Sequence, residues 1–351
     1  MSRLTPFARL LITVGIVLGL FFGIKKFFPG ITDKFSNKSN TETMPSNQPQ
    51  PSDNTPSMPS DNSNATTNSN SQNNASTAPA NRPVFDYKAK EPVGGKLKGV
   101  VELGASGFNS FIVRIDQQKN WKLEKADFGA SLVYEKLTSD TDVKDGLKNY
   151  ISNMLSFGVS PRDIHFVISS GAQKVEVTGK IIAFLKNMGY VVNTVTADQE
   201  GKLGYRSVMP KDYENDAFVC DIGSGNTKVS WMENGQVKTF ESFGAKYFQN
   251  NTTDDAVYNE VKRLSDKIPA ARRKTCFIIG GVPFTLAKQV RTGKERFTIL
   301  NAPEKYKDGG DAKTKAGLNI YKGIADGTDC LQFVFDWDAN FTIGFLLNLP
   351  Q

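Results

Sequence analysis

The first quarter of the chain and the remainder carry different patterns of apolar and polar residues. Leu10 to Ile24 is an uncharged apolar run of fifteen residues, extended past Lys25 and Lys26 by Phe27 and Phe28. That is short for a bilayer span, but snorkelling lysines stretch it toward the roughly 20 residues a bilayer needs. The run reads as an uncleaved membrane anchor over residues 10–28, behind a tail of residues 1–9. The competing reading is a cleaved signal peptide, although no clear small-x-small site follows the run. Residues 35–83 are almost entirely Ser, Asn, Thr, Pro, Gln and Ala, with no apolar periodicity. Such a stretch cannot bury enough surface to offset its ordering entropy. Residues 35–83 therefore read as a flexible tether with a reach of about 35–40 Å by random-coil scaling, within a linker of residues 29–83.

From residue 98 onward, strand-like and helix-like periods alternate. Residues 98–116 predict a hairpin, and Trp121 to Ala130 a third strand. A helix follows, with Val143, Leu147, Ile151, Met154 and Leu155 on one face at 3.6-residue spacing. Then come a strand over Ile164 to Ser169, a helix over about Val175 to Met188 stopped by Gly189, and a strand over Tyr190 to Thr196. A short helix begins near Asp198. The second half repeats the plan: a hairpin over 217–232, a strand over 236–242, a helix over Asp254 to Ile268 and a strand over Cys276 to Ile279. A helix over Lys315 to Ile324 and late strands over 331–346 close the chain. Each half reads βββαβαβα, which resembles the ribonuclease-H-like module. Two such modules make an actin-like α/β fold with a ligand cleft between them. The expected division is 84–210 for the first module and 211–351 for the second.

Charge changes this picture little. The net +7 divides into +5 over residues 1–40, −2 over 41–83 and about +4 over the folded part, too mild to argue for nucleic acid. Arg272-Arg273-Lys274 reads as solvated surface. Cys220, Cys276 and Cys330 give no disulfide framework, and the first two sit in apolar strand-like runs. The lone histidine, His165, lies mid-strand and reads as core, which argues against histidine triads and histidine-rich metal sites.

Candidate chemistry lies in two glycine-rich turns about 120 residues apart. In the second, an apolar run ends in Asp221, the turn Gly223-Ser224-Gly225-Asn226-Thr227 follows, and a return strand begins at once. Glycines there let backbone N–H groups close around an anion, and Asp221 is placed to hold a divalent cation beside a phosphate. The first turn has the same plan: a strand, Glu102, Gly104-Ala105-Ser106-Gly107, and a return strand. No GxxxxGK[ST] pattern occurs, so a P-loop is excluded. The arrangement resembles the phosphate grip of the actin, sugar-kinase and Hsp70 superfamily. Gly280-Gly281, after the strand Cys276 to Ile279, is another loop able to approach a phosphate.

The order and spacing of these segments resemble the Ppx/GppA group of exopolyphosphatases and guanosine pentaphosphate phosphohydrolases, closely over 98–288 and loosely over 311–351. The family's D-x-G-S-N-S-F loop is similar to Glu102-Leu103-Gly104-Ala105-Ser106-Gly107-Phe108. Its A-T-S-A-x-R-E-A strand end is matched in position by Ile168-Ser169-Ser170-Gly171-Ala172-Gln173-Lys174. The E-A-R-L-x-Y-x-G-V segment is echoed by Glu200-Gly201-Lys202-Leu203-Gly204-Tyr205-Arg206-Ser207-Val208. D-I-G-G-G-S-T-E becomes Asp221-Ile222-Gly223-Ser224-Gly225-Asn226-Thr227-Lys228, and G-G-T-x-T-x-L-A becomes Gly280-Gly281-Val282-Pro283-Phe284-Thr285-Leu286-Ala287.

The resemblance implies hydrolysis of a terminal phosphoanhydride of polyphosphate or a phosphorylated nucleotide. Glu200 would be the base that activates water, and Asp221 with Glu102 would hold Mg2+. Gly104, Ala105, Ser106, Gly107, Gly223, Ser224, Gly225, Asn226, Thr227, Lys228, Gly280 and Gly281 would hold phosphate. The departures matter as well. Lys228 stands where the family's second loop ends in an acidic residue, so a metal-binding carboxylate has become a cation. The first loop has lost most of its polar side chains. A phosphate-sensing module without turnover is the rival reading, and an ATP-binding polymer former a third, resting on fold analogy alone. The expected setting is the lipid bilayer of a bacterial inner membrane, crossed once. The charges flanking the run slightly favour a cytoplasmic domain, whereas the short head and uncharged tether tip the expectation toward an extracytoplasmic one.

Overall fold

The computed structural model describes residues 85–104, 107–128, 140–174, 176–306 and 310–350. The expected anchor and tether, and Ala105 and Ser106, lie outside the described residues. Among the described residues no helix is long and apolar enough to cross a membrane.

The first sheet is built on β1 (Lys96–Gly104), which pairs antiparallel with β2 (Gly107–Ile115) and parallel with β4 (Ile164–Ile168). β3 (Trp121–Phe128) extends it beyond β2, and β5 (Val192–Thr194) beyond β4, giving the order β3-β2-β1-β4-β5. The second sheet repeats this on β6 (Ala217–Ile222), with β7 (Asn226–Glu233) and β8 (Gln236–Phe243) on one side and β9 (Thr275–Ile279) on the other. β11 (Gln332–Asp336) follows β9 in parallel, so the same five-strand order recurs. β10 (Phe297–Ile299) adds a sixth, antiparallel edge strand that the sequence pattern does not predict. Two ribonuclease-H-like sheets, each with three antiparallel strands leading into parallel ones, make the actin-like architecture expected.

Side-chain alternation along the strands feeds both faces of each sheet. Val101 and Leu103 of β1 pack with Leu147, Ile151 and Met154 of α1 (Asp140–Phe157) and with Ile181 and Leu185 of α2 (Glu176–Asn187). Val100, from the opposite face of β1, joins Phe111 and Val113 of β2 against Leu203 of α3 (Ala197–Val208). In the second sheet, Phe218, Cys220 and Ile222 cover Val257 and Val261 of α4 (Asp254–Ser265). They also cover Val282 of α5 (Gly281–Lys288) and Ile320 and Ile324 of α6 (Ala312–Thr328). Val219 and Ala217 face the other way, toward Tyr205 and Val208 of α3. Helix α3 is thus shared by the inner faces of both sheets. Its N-terminus is fixed by a capping box, in which Thr196 accepts from the Gln199 backbone and Gln199 accepts from the Thr196 backbone.

The end of the chain departs from the sequence reading. The expected late strands over 331–346 are one strand, β11, followed by α7 (Phe341–Asn348). Its sequence, FTIGFLLN, is apolar nearly all round, and a short apolar run does not distinguish a buried strand from a buried helix. Asn340 settles the matter by accepting from the Thr342 backbone at 2.8 Å as an N-cap. Phe341, Ile343 and Leu346 then pack into the first module's inner face, not the second's. Gly344 lets α7 press on α3, because a Cβ there would overlap the Leu203 carbonyl. The division at 210 and 211 therefore does not describe residues 341–348.

His165 is half-buried with its ring 5.9 Å from that of Phe345, and burial lowers its pKa. Cys220 and Cys276 are buried free thiols, and Cys330 is a partly buried one. The basic triplet is not a free surface patch. Arg272 donates to the Met232 carbonyl at 2.9 Å, Arg273 to that of Ile268 at 2.7 Å, and Lys274 pairs with Asp216 at 3.1 Å.

Candidate phosphate site

The two hairpin turns, the N-terminal half of α3 and the end of β9 converge on one cavity of about 370 Å3 between the sheets. Its lining includes Glu102, Gly104, Gly107, Glu200, Asp221, Gly223, Ser224, Gly225, Asn226, Lys228, Gly280 and Gly281. The sequence-predicted residues thus share one space, with Thr227 the exception among those described. Alternation explains the exception: Asn226 and Lys228 face the cavity, whereas Thr227 points with Val229 and Trp231 to the other side of the sheet. Thr227 is fully buried, and its hydroxyl finds no partner among the described residues.

Backbone shape makes the cradle. Gly223 donates its N–H to the Asn226 carbonyl at 3.0 Å, closing the second turn. A Cβ on Gly223 would lie 2.7 Å from that carbonyl oxygen and 3.5 Å from Lys228 Nζ, so the ammonium lies against the turn itself. Gly280 has φ +110°, and a Cβ there would strike the Ile222 carbonyl.

Lys228 is at the centre of the charge arrangement. It stands opposite Asp221 in the β6/β7 register and is nearly fully buried. Its Nζ lies 3.2 Å from Asp221 Oδ2, 3.5 Å from Glu200 Oε2 and 3.2 Å from Asn226 Oδ1. Burial pulls the ammonium pKa down, but the Asp221 and Glu200 carboxylates more than offset this and hold it above the ordinary lysine value. Glu200 is 1% exposed. Burial raises its pKa, while Lys228 and a hydrogen bond from the Ser170 hydroxyl to Oε2 work against that rise. Asn226 donates to Ser170 Oγ at 2.9 Å and to Glu241 Oε1 at 2.8 Å, so the network joins the two modules across the cavity.

Glu102 lies apart from this ion pair. Its Oε2 accepts from Asn109 at 3.1 Å and from Asn340 at 3.0 Å. Burial pushes its pKa up to about 7, opposed by the Asn109 hydrogen bond and reinforced by the charges of Asp221 and Glu200. The expectation that Asp221 and Glu102 hold Mg2+ does not fit these donors. One carboxylate is turned to an ammonium, the other to two amide groups, and among the described residues no cluster of three His, Cys, Asp or Glu could hold a metal ion.

Several lining groups escaped the sequence reading. Lys313, from the first turn of α6, is half-buried at the Gly281 side, where burial and the charge of Lys246 lower its pKa. Ser170, Asn109 and Asn340 orient the carboxylates. Phe284 and Trp337 form an aromatic wall, their rings 5.3 Å apart, with Phe335 5.1 Å from Trp337. The Gly-turn pattern points to none of these; only Ser170 and Phe284 fall within family-like segments, 168–174 and 280–287.

A two-module α/β chain with its glycine turns and carboxylates facing a shared cleft has the architecture of the actin-like fold. Among solved structures it is similar to the Ppx/GppA family member of Aquifex aeolicus, at 16% identity and a TM-score of 0.53. That match covers 72% of this chain and 96% of that one. It is also similar to an exopolyphosphatase from Cytophaga hutchinsonii, at 14% identity and a TM-score of 0.53, over 72% of this chain and 96% of that one. The fold is thus that of the Ppx/GppA structures, in a strongly diverged sequence. No protein-family model matches the chain, and no curated protein sequence matches it.

Proposed function

We propose that the cleft takes the phosphoanhydride end of a polyphosphate or phosphorylated nucleotide and hydrolyses its terminal bond, with Glu200 activating the water. The observation that carries this reading is the placement of the Glu200 carboxylate in the same cavity as both glycine turns. Ser170 and Lys228 both engage Oε2 of Glu200, which leaves Oε1 to take a proton from water. Phosphoryl transfer asks mainly for positioning and charge neutralisation, which the turns, Lys228 and Lys313 would supply. The likeness to exopolyphosphatase folds is consistent with this chemistry.

A second reading, ligand sensing without turnover, is favoured by one observation: Lys228 holds Glu200 in an ion pair, which weakens a base. Phosphate release from polyphosphate and from guanosine pentaphosphate by the full chain, with magnesium and with EDTA, separates the two. Turnover that falls by at least about 100-fold in Glu200→Gln supports hydrolysis. Release as fast in the variant as in the parent refutes the role of Glu200, and binding without release by the parent favours the sensor. Tethering to an inner membrane through residues 10–28, with the domain on its outer side, belongs to the same proposal. Protease cleavage of residues 29–83 in intact spheroplasts tests it, and protection until lysis would overturn it.

A further inference from the structure

The cavity is lined by four carboxylates, Glu102, Glu200, Asp221 and Asp336; Asp336 is paired with Arg296, and the Lys228 ammonium touches Glu200 and Asp221. We infer that Lys228 is the built-in cation of this cleft: it meets the ligand's phosphate oxygens itself, and the cleft binds phosphoanhydrides without recruiting a divalent ion. The inference rests on the phosphate reading above and specifies how that site neutralises charge.

Geometry supports it in three ways. The lysine is held in place by its strand. It lies within β7, with Asp221 opposite it in β6 and Glu241 opposite it in β8, and the side chain is 5% exposed. Its Nζ is held by Asp221, Glu200 and Asn226, which keeps it where a metal on Asp221 would have to sit. The ammonium also adjoins the anion-cradling turn, as the 3.5 Å approach to a Cβ on Gly223 records. A phosphate seated in that turn would meet Lys228 before it met any ion bound farther out. Finally, the lysine has one contact to yield. An ammonium has three N–H donors, and the three oxygens around Nζ lie at 3.2, 3.2 and 3.5 Å. The longest of these, to Glu200, is the one a phosphate oxygen would take over. That exchange would also release the Glu200 carboxylate toward its water.

A divalent ion finds the opposite conditions. Mg2+ needs near-octahedral oxygen ligands at about 2.0–2.1 Å, and an ion on Asp221 would share that carboxylate with a fixed positive charge. The carboxylate oxygen Oδ2 is already committed to Lys228.

Two probes on the full chain test this. Mn2+ alone, followed by electron paramagnetic resonance, is expected to show no submillimolar binding. Tripolyphosphate, followed by calorimetry, is expected to bind within about twofold equally in EDTA and in magnesium. Lys228→Met should weaken tripolyphosphate in EDTA by roughly 10–100-fold, the scale of a lost charge-assisted hydrogen bond. Lys228→Arg, which keeps the charge in a bulkier group, should retain more affinity than Lys228→Met, and thermal melting reports whether each variant folds. Submillimolar Mn2+ binding by the parent overturns the inference, as does tripolyphosphate binding that appears only with magnesium. Tripolyphosphate binding in neither buffer overturns the phosphate reading together with the inference.

Discussion

Replacing Glu102 with glutamine separates the electrostatic cost of this buried carboxylate from its packing. The side chain is 8% exposed, and its Oε2 takes two amide donors, Asn109 and Asn340. A glutamine oxygen can accept from both, so shape and hydrogen bonds are retained while the charge is lost. The carboxyl titrates near 4.5 when exposed and near 7 in the folded chain. Because the folded pKa is the higher one, the native state binds the extra proton between these values. Stability is therefore fully present below about 4.5 and falls as pH rises through 7. At 1.36 kcal/mol per pH unit the difference amounts to roughly 3 kcal/mol above pH 7. Glu102→Gln should match the parent at pH 4.5 and exceed it by up to about 3 kcal/mol at pH 8. For a folded part of this size that corresponds to a melting point higher by roughly 6–12 °C. Urea titrations of both proteins at several pH values measure the difference directly. A difference independent of pH, or a variant less stable at pH 8, would refute the assignment of a costly charge to Glu102.

Two further substitutions probe the framework of the cleft. Gly280→Ala places a Cβ against the Ile222 carbonyl at φ +110° and should cost roughly 2–4 kcal/mol in chemical denaturation; a cost under about 0.5 kcal/mol would show that the turn is not under this constraint. Leu346→Ala removes a fully buried α7 side chain from the first module's inner face and should cost roughly 2–5 kcal/mol, whereas a neutral result would mean that α7 does not hold that face.

The parts of the fold that the sequence made legible are those whose signal is local. The two hairpins announce themselves through an acidic strand end, a glycine turn and an immediate return strand, and the observed pairs Gly104 with Gly107 and Ile222 with Thr227 follow that plan. Thr227 reads as a phosphate residue along with its neighbours, although a period of two sets it on the face of β7 opposite Asn226 and Lys228, away from the cavity. What the sequence hid depends on tertiary return. Asn340 reaches Glu102 across 238 residues only because α7 crosses back to β1, and nothing near residue 340 signals that crossing. Lys313 enters the cavity because α6 begins beside Gly281, a meeting of segments that no spacing encodes. Edge strand β10 has three residues, too few to register a period.

Under the proposed phosphate reading, ligand affinity in this cleft depends on competition with its own internal contacts. Asp221, Asn226 and Glu200 already engage the Lys228 ammonium, Ser170 donates to Glu200, and Asn226 donates across the modules to Ser170. A phosphate that merely added negative charge beside these carboxylates would be repelled at short range in a poorly screened site. It gains only if it takes over a contact that the network can surrender, and the Lys228–Glu200 contact is the longest of the three at that ammonium. Giving it up leaves a buried glutamate without its cation, which raises its affinity for a proton. Binding and base activation are then two consequences of one displacement. A ligand unable to reach Lys228 would leave Glu200 paired and unreactive. The cleft would distinguish a phosphate seated in the second turn from one held only at the Lys313 end, without any contact that reads the rest of the ligand.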